Sequence, residues 1–220
     1  MQIQSKEWGN VSESVSFVME QQLQADTAML DVGCYTGTLI YRLAEGGFPN
    51  VYGIDVDLRA VDRGKRLYPE LESRILGYSG VVLPFPEESF DVVTMFDVLE
   101  HIPNVEEFLS REVWRVLKKG GTLLFQTPNK YTNIPWEILI HRSLSKYKSY
   151  HVSLQSYWSL KEILRTVGFH EIRISKRDIL NPYYLGPLRQ QLGPAANLVA
   201  RFFNALPVTC STNFWGSCSK

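Results

Sequence analysis

Hydrophobic positions along the chain alternate between strand-like and helix-like spacing. Short apolar runs at 28–32, 50–56, 90–98 and 122–129 have the length and composition of buried strands. Between them, apolar residues recur every three or four positions, which predicts amphipathic helices. Because parallel strands need crossover connections, this alternation predicts a parallel sheet with helices on both faces.

The ends of the predicted helices follow from capping and turn residues. Residues 11–24 place apolar side chains on one helix face, and Ser12 or Ser14 is suited to cap that helix. Residues 104–121 predict the longest helix, with two lysines in its last turn and two glycines after it.

The strand–helix alternation ends at residue 129. An aromatic-rich insert occupies 130–158, and 181–194 is rich in turn-forming residues and predicts a turn. Helix-like and strand-like patterns then resume in the C-terminal part of the chain. We therefore expect a single domain over 1–220, with a ligand-binding core at 28–129, a substrate-covering insert at 130–158, and C-terminal helices and edge strands at 159–220.

The predicted fold class is α/β. Right-handed crossovers between the strands give a doubly wound sheet with helices on both faces. We expect seven strands, mostly parallel, with the last strand antiparallel.

Composition limits the expected cellular compartment and the expected classes of binding partner. The chain has 23 basic and 23 acidic residues, so a net charge of zero favours neither nucleic acid nor an anionic membrane as partner. Three cysteines without a Cys-x-x-Cys pair argue against a disulfide framework or a zinc site, and a reducing cytoplasm is the simplest location. The sequence contains no signal region and no apolar run of the roughly 18 residues that a membrane span needs.

The most informative segment is the loop after the first predicted strand. In "DVGCYTG", Gly33 and Gly37 can adopt positive backbone dihedrals and allow a ligand to approach closely. The following helix points its free N–H groups at that ligand. Asp55 ends the second strand, where a carboxylate accepts hydrogen bonds from both ribose hydroxyls. The pattern indicates a ribose-bearing ligand.

A dinucleotide is the first alternative for that ligand. The dinucleotide fingerprint requires Gly-x-Gly-x-x-Gly, whereas this loop has Tyr35 at the second glycine position and lacks the third glycine. The acidic Asp31 before the loop also favours a cationic ligand over a phosphate. An NAD-dependent oxidoreductase is therefore the less favoured interpretation.

Several segments in order resemble the class I S-adenosylmethionine-dependent methyltransferases. "DVGCYTG" matches the family's first motif at Asp31, Gly33 and Gly37, and "YGIDVD" matches the second at Asp55. Three further segments resemble later family blocks: "LPFPEESFDVV", "FDVLEHIPN" and "EVWRVLKKGGTLLFQTPN". The resemblance covers residues 29–129. Within the family, the sequence is similar to the small methyltransferases of quinones, lipids and sugar-type natural products.

The resemblance implies S-adenosyl-L-methionine as cofactor and S-adenosyl-L-homocysteine as product. It assigns cofactor contacts to Asp31, Gly33, Cys34, Tyr35 and Gly37 in the loop, to Asp55 and Val56 after the second strand, to Ser79, Gly80 and Leu83 before the fourth strand, and to Phe96 and Asp97 at its end. Two positions depart from the family pattern. Tyr35 replaces the middle glycine, and Ser79 replaces the acidic residue that often contacts the adenine amino group.

Catalysis in such a family rests mainly on alignment of acceptor and sulfonium, and no metal is required. His101 and His151 are the candidate general bases, because histidine accepts protons near neutral pH. The expected acceptor is a small molecule or a lipid- or sugar-type compound, with an O, N or C nucleophile. We expect a monomer or homodimer. A catalytically silent cofactor-binding protein remains an alternative, motivated by Tyr35 and Ser79.

Overall fold

The computed structural model describes residues 10–143, 145–149, 151–178 and 182–220. Its strands are β1 Met29–Val32, β2 Val51–Asp55, β3 Ile75–Gly77, β4 Phe90–Phe96, β5 Leu117–Pro128, β6 His170–Ser175 and β7 Asn213–Ser219. Its α-helices are α1 Val11–Met19, α2 Thr38–Glu45, α3 Leu58–Leu67, α4 Val105–Phe108, α5 Trp114–Val116, α6 Lys130–His141, α7 Tyr157–Val167, α8 Pro182–Leu192 and α9 Ala195–Ala205.

The seven strands form one sheet in the order β3-β2-β1-β4-β5-β7-β6. β1 to β5 are parallel to one another, whereas β7 is antiparallel to both β5 and β6. The predicted fold class, a mostly parallel doubly wound sheet with an antiparallel last strand, is confirmed. The last strand lies between β5 and β6, so β6 rather than β7 forms the edge.

The two sides of the sheet carry separate hydrophobic clusters. Along β1, the side chain of Met29 belongs to one cluster and that of Leu30 to the other, because neighbouring strand residues point to opposite faces. The same alternation separates Val92 from Val93 in β4. The central strands are therefore buried on both faces, as their continuous apolar sequences predict.

Two predicted helix boundaries were wrong. α1 is capped by Asn10, whose Oδ1 accepts from the N–H of Glu13 at 3.4 Å, rather than by Ser12 or Ser14. The helix predicted to include the paired lysines ends at Val116, after a π-helical turn that joins α4 to α5. β5 begins directly after it, and Nζ of Lys118 contacts the Asp91 carboxylate at 2.9 Å. Strand pairing and this ion pair override the local helical pattern.

The predicted turn at 181–194 was also wrong. Residues from Pro182 to Leu192 form α8, which packs against α9, while Asn181 lies outside the described residues. Proline is tolerated in the first turn of a helix, and the tertiary contact with α9 stabilises a segment of poor helix propensity.

The segments that follow the parallel strands lie at the carboxyl edge of the sheet. The loops after β1, β2 and β4 lie there, and so does α6, which follows β5. The β7 residue Asn213 pairs with Pro128 at the end of β5, so β7 begins at this same edge. Among the described residues, no helix has both the length and the apolarity needed to cross a bilayer.

Gly64 allows the backbone of α3 to approach the loop after β1. A Cβ at this position would lie 2.5 Å from the carbonyl oxygen of Thr36 and 2.9 Å from its carbonyl carbon. These are backbone atoms, so a methyl group can be accommodated only if the helix or the loop moves.

We therefore predict that Gly64→Ala lowers the free energy of unfolding by about 1–3 kcal/mol, the usual cost of overpacking. Gly186→Ala is the matched control, because Gly186 is also helical and a Cβ there meets nothing within 4 Å. The control gains up to about 1 kcal/mol from helix propensity. Urea denaturation of both variants measures the difference, and equal stabilities would contradict the close approach.

Candidate functional site

A cleft of about 650 Å³ opens at the carboxyl edge of the sheet. This volume lies within the range of small-molecule sites. The residues that line it are Gly33, Tyr35, Asp55, Val56, Tyr78, Gly80, Phe96, Asp97, Val98, Glu100, His101, Ile102, Pro103 and His151. The structure thus brings together nine of the fourteen residues that the sequence assigned to the site.

Backbone conformation shapes the loop after β1. Gly33 has φ +80° and Gly37 has φ +76°, a region that side chains with a Cβ rarely adopt. A Cβ on Gly33 would also clash with the side chain of Val98. Gly37 is the N-cap of α2, and its backbone turns the chain into the helix. These constraints explain the two glycines of the motif.

Tyr35 occupies the left-handed region with φ +51°. Its N–H donates to Oδ2 of Asp55 at 2.7 Å, and its hydroxyl accepts from the Arg63 guanidinium on α3 at 2.7 Å. The guanidinium carbon lies 5.1 Å from the centre of the Tyr35 ring. The ring therefore forms part of the cleft wall while its polar end is held on α3.

Asp55 connects the two loops on this side of the cleft. Besides the Tyr35 N–H, it accepts the N–H of Asp57 on Oδ1 at 2.8 Å. A carboxylate has about four acceptor positions, so both oxygens retain capacity for ligand hydroxyls. This arrangement supports a ribose contact at Asp55.

Asp31 lies beneath the cleft rather than in its wall. The residue is 5% exposed, and the hydroxyl of Thr94 donates to its Oδ1 at 2.6 Å. Burial raises the pKa of Asp31 to about 7, with the Thr94 hydrogen bond acting in the opposite direction and the Asp55 charge adding to the rise. A nearby ligand cation would favour the ionised form.

Four other assigned residues lie outside the cleft wall. Cys34 is buried and packs against β2 at Gly53, and its pKa is raised by burial. Leu83 is 1% exposed in the main core, and Ser79 is exposed. Gly37 serves the helix start, as described above. Their cofactor contacts stay predictions.

Two acidic side chains lie at the other end of the cleft. Asp97 follows β4 and is open to the cleft but surrounded by protein, and this loss of hydration raises its pKa, although Gln126 and His101 counteract the rise. Glu100 is 1% exposed, and burial together with the charge of Asp97 raises its pKa to about 8. The hydroxyl of Thr127 donates to Glu100 Oε2 at 2.9 Å.

The two predicted base candidates lie side by side. The ring centres of His101 and His151 are 5.2 Å apart, and Nδ1 of His151 lies 3.2 Å from Oδ1 of Asn133. Because an amide oxygen only accepts, Nδ1 carries the proton and Nε2 is the basic nitrogen. Burial, and then the charge of His101, lower the pKa of His151.

Glu100 completes a group with the two histidines. One ligand-type atom from each of the three residues lies within 4.8 Å of the others, and Nε2 of His101 is 3.9 Å from Glu100 Oε1. A cation at this point would have to displace the proton that burial favours on Glu100. We therefore interpret the group as a hydrogen-bonding and proton-accepting cluster.

The insert after β5 is attached to this cluster by backbone hydrogen bonds. The N–H groups of Val152 and Ser153 both donate to the carbonyl of Glu100 at 2.9 Å. Of the insert's aromatics, Tyr131 is 64% and Trp158 67% exposed, whereas Tyr157 packs near Phe214. The remaining three lie outside the described side chains: Trp136, Tyr147 and Tyr150. The covering role of the insert stays a prediction.

Sequence reasoning missed several wall residues. Tyr78, Val98, Ile102 and Pro103 line the cleft, and burial raises the pKa of Tyr78 to about 12. Val98, Ile102 and Pro103 stood within the quoted segment "FDVLEHIPN", and Tyr78 directly precedes the assigned Ser79. Glu100 stood within "LEHIP" in the sequence, but its burial beside Asp97 depends on the tertiary structure.

Comparison with known proteins relates residues 30–125 to a family model described as "Methyltransferase domain". One similar relative is a probable S-adenosylmethionine-dependent methyltransferase from Mycolicibacterium smegmatis, 33% identical over 144 residues, which are 64% of this chain and 51% of that protein. Another is the demethylmenaquinone methyltransferase of Lactobacillus johnsonii, 28% identical over 188 residues, which are 74% of this chain and 76% of that protein. The chain spans only about half the length of several of its curated relatives.

Solved structures support the fold assignment. Phosphoethanolamine N-methyltransferase 2 of Haemonchus contortus, in complex with S-adenosyl-L-methionine, superposes with a TM-score of 0.65 at 18% identity. The match covers 95% of this chain and 52% of that one. At this identity the similarity concerns the fold alone.

The raised pKa of Asp31 predicts a pH-dependent stability. The native carboxyl titrates near pH 7 and the unfolded one near 3.8, so the native state binds more protons between these values. Its stabilising contribution is therefore complete below about pH 4 and is lost as pH rises through 7, with a slope of up to about 1.4 kcal/mol per pH unit.

Urea denaturation from pH 5 to pH 7 measures this slope in the wild type and in Asp31→Asn. We expect the variant to lose less stability with rising pH than the wild type. Asp26→Asn, at an exposed carboxylate, is the control and retains the wild-type slope. Parallel curves for wild type and Asp31→Asn would contradict the prediction.

Proposed function

We propose that this chain, whose residues 30–125 match a methyltransferase family model, is a class I S-adenosylmethionine-dependent methyltransferase that transfers a methyl group from S-adenosylmethionine to a small-molecule acceptor. The observation that carries the proposal is one cleft that unites the glycine loop and Asp55 with the two neighbouring histidines. An oxidoreductase that uses NAD is not favoured, since the loop lacks the dinucleotide glycines.

The wall divides into two parts with different chemistry. Around Gly33, Tyr35, Asp55 and Val56 it offers backbone, a carboxylate and an apolar surface, which suit a ribose and a purine. We assign the nucleoside part of the cofactor to this side. The carbonyl of Phe96 and the region above Asp31 then receive the cationic methionine end.

The acceptor lies, in this proposal, at the end formed by His101, His151 and Ile102. The sulfonium of the bound cofactor makes its methyl group electrophilic. The chain's own contribution is to hold the acceptor in line with that methyl group and to exclude water. An oxygen or nitrogen nucleophile also loses a proton, and His151 is placed to accept it on Nε2.

The structure of His151 suits this role. Its lowered pKa keeps the ring neutral near pH 7, and Asn133 directs the proton to Nδ1. A base must be neutral before it can accept a proton. His101 lies beside it with a side chain that is 46% exposed and is the second candidate.

The class of the acceptor, the cellular location and the oligomeric state are also part of the proposal. Several relatives carry names of quinone methyltransferases, and the apolar wall at Val98, Ile102 and Pro103 suits a ring-bearing or prenylated acceptor. We infer a cytoplasmic location, because the free cysteines fit a reducing compartment. No nucleic-acid partner is proposed, and the chain acts as a monomer or homodimer.

A second candidate function is binding of the cofactor without methyl transfer. Tyr35 in the cleft wall and Ser79 in place of an acidic adenine contact favour it. Cofactor binding together with no turnover on quinol, lipid and sugar-type acceptors would support this alternative.

Titration calorimetry tests the cofactor assignment. We predict that S-adenosylmethionine and S-adenosylhomocysteine bind the wild type and that NAD does not. Asp55→Ala weakens binding by roughly 10- to 100-fold, because a charged hydrogen-bond acceptor is lost. Glu72→Ala, at an exposed carboxylate, is the control. Tight binding of NAD alone would exclude the proposed function.

The two histidines are tested separately once an acceptor is found. His151→Ala lowers kcat by about 100-fold or more, the usual contribution of a general base, while cofactor affinity is retained. His101→Ala has a smaller effect, because the base remains. If kcat of His151→Ala stays within about threefold of the wild-type value, the reduction is far smaller than loss of a general base causes, and His151 does not have that role.

A further inference from the structure

The helical hairpin of α8 and α9 carries an exposed apolar face. On the inner side of α9, Ala196 and Ala200 are fully buried against α8. On its outer side, Leu198 is 73% and Phe202 63% exposed, and Leu192 at the end of α8 is 44% exposed. We call these three side chains the hairpin face. The inner contact of the hairpin also includes Leu185 and the partly buried Phe203, whereas Leu192, Leu198 and Phe202 remain in contact with water.

Leu198 and Phe202 lie four residues apart, so they follow one another on the same side of the helix. Large apolar side chains grouped in this way mark an interaction surface more often than a single exposed one does.

The charged side chains within the hairpin itself are all basic, although Asp178, which precedes it, accepts a hydrogen bond from Asn204 on α9. Residues 179–220 contain no aspartate or glutamate, although the whole chain has 23 acidic residues. Arg189 on α8 and Arg201 on α9 are both exposed. A surface that combines exposed leucine and phenylalanine with arginine and lacks acidic residues fits the interface of an anionic lipid bilayer.

The topology places the hairpin at the same edge of the sheet as the cleft. The hairpin connects the end of β6 to the start of β7, and these two ends are paired through Ser175 and Trp215. The start of β7 also pairs with the end of β5, whose carboxyl edge bears the cleft. The hairpin is therefore joined to the sheet at the edge that bears the cleft.

We propose that the hairpin face docks on anionic membranes, with Leu192, Leu198 and Phe202 inserted at the headgroup level and Arg189 and Arg201 contacting lipid phosphates. A second copy of the chain fits this face less well. In a two-fold symmetric contact the face meets itself, and each arginine-bearing margin would then oppose another margin without acidic residues. The proposal is independent of the proposed methyl transfer.

Vesicle flotation tests the proposal. The wild type is mixed with vesicles of phosphatidylcholine alone or with 30% phosphatidylglycerol, a fraction chosen to give roughly the surface potential of an anionic leaflet. We expect binding to the anionic vesicles that weakens in high salt. The variant L198S/F202S reduces the partition by about tenfold or more, because two apolar side chains no longer insert. R189Q/R201Q reduces it by roughly fivefold for each arginine and abolishes the lipid preference.

V81S/V82S is the matched control, since Val81 and Val82 are similarly exposed but lie outside the hairpin. The control binds vesicles as the wild type does. All replaced side chains are exposed, so circular dichroism is expected to show folded proteins. The proposal would be overturned if the wild type does not bind anionic vesicles, or if L198S/F202S binds them as strongly as the wild type does. If light scattering shows that the wild type is a dimer and L198S/F202S a monomer, and neither binds vesicles, the face is a self-association surface and the proposal is overturned.

Discussion

The shape of the cleft depends on the hydrogen bonds that the carboxylate of Asp55 accepts. This carboxylate accepts the N–H groups of Tyr35 and Asp57, and so joins the loop after β1 to the start of α3. Asp57 in turn caps α3 through the N–H groups of Arg59 and Ala60. This arrangement requires the backbones to approach closely, which the absence of a side chain at Gly64 permits. One carboxylate therefore organises the loops and also lines the cleft, so a ligand bound there would use geometry that folding has already set.

Acidic side chains beneath the cleft and at its other end have a different physical character. Loss of hydration raises the pKa values of Asp31, Asp97 and Glu100, so negative charge is costly at these positions. A cationic ligand relieves that cost by favouring the ionised acids. The sulfonium and amino group of S-adenosylmethionine are such cations. The same surroundings lower the pKa of His151. The electrostatics of the cleft thus favour a positively charged ligand.

The parts that differ most from a plain α/β sheet all gather at its carboxyl edge. The insert joins this edge through the carbonyl of Glu100, and the α8–α9 hairpin joins it between β6 and β7. Since ligands of parallel sheets bind at this edge, additions there can select an acceptor or a surface without altering the central strands.

The sequence by itself determined the sheet, the glycine loop and the position of Asp55, because period, turn residues and strand ends are local properties of the chain. It failed where contacts distant in sequence decide the outcome. Pairing of β5 with β4 places Lys118 in a strand rather than a helix, and contact with α9 makes a helix of a turn-rich segment. Only the tertiary structure decided which assigned residues line the cleft and which, like Leu83, lie in the core. Burial and proximity are relations between segments, and a linear pattern does not contain them.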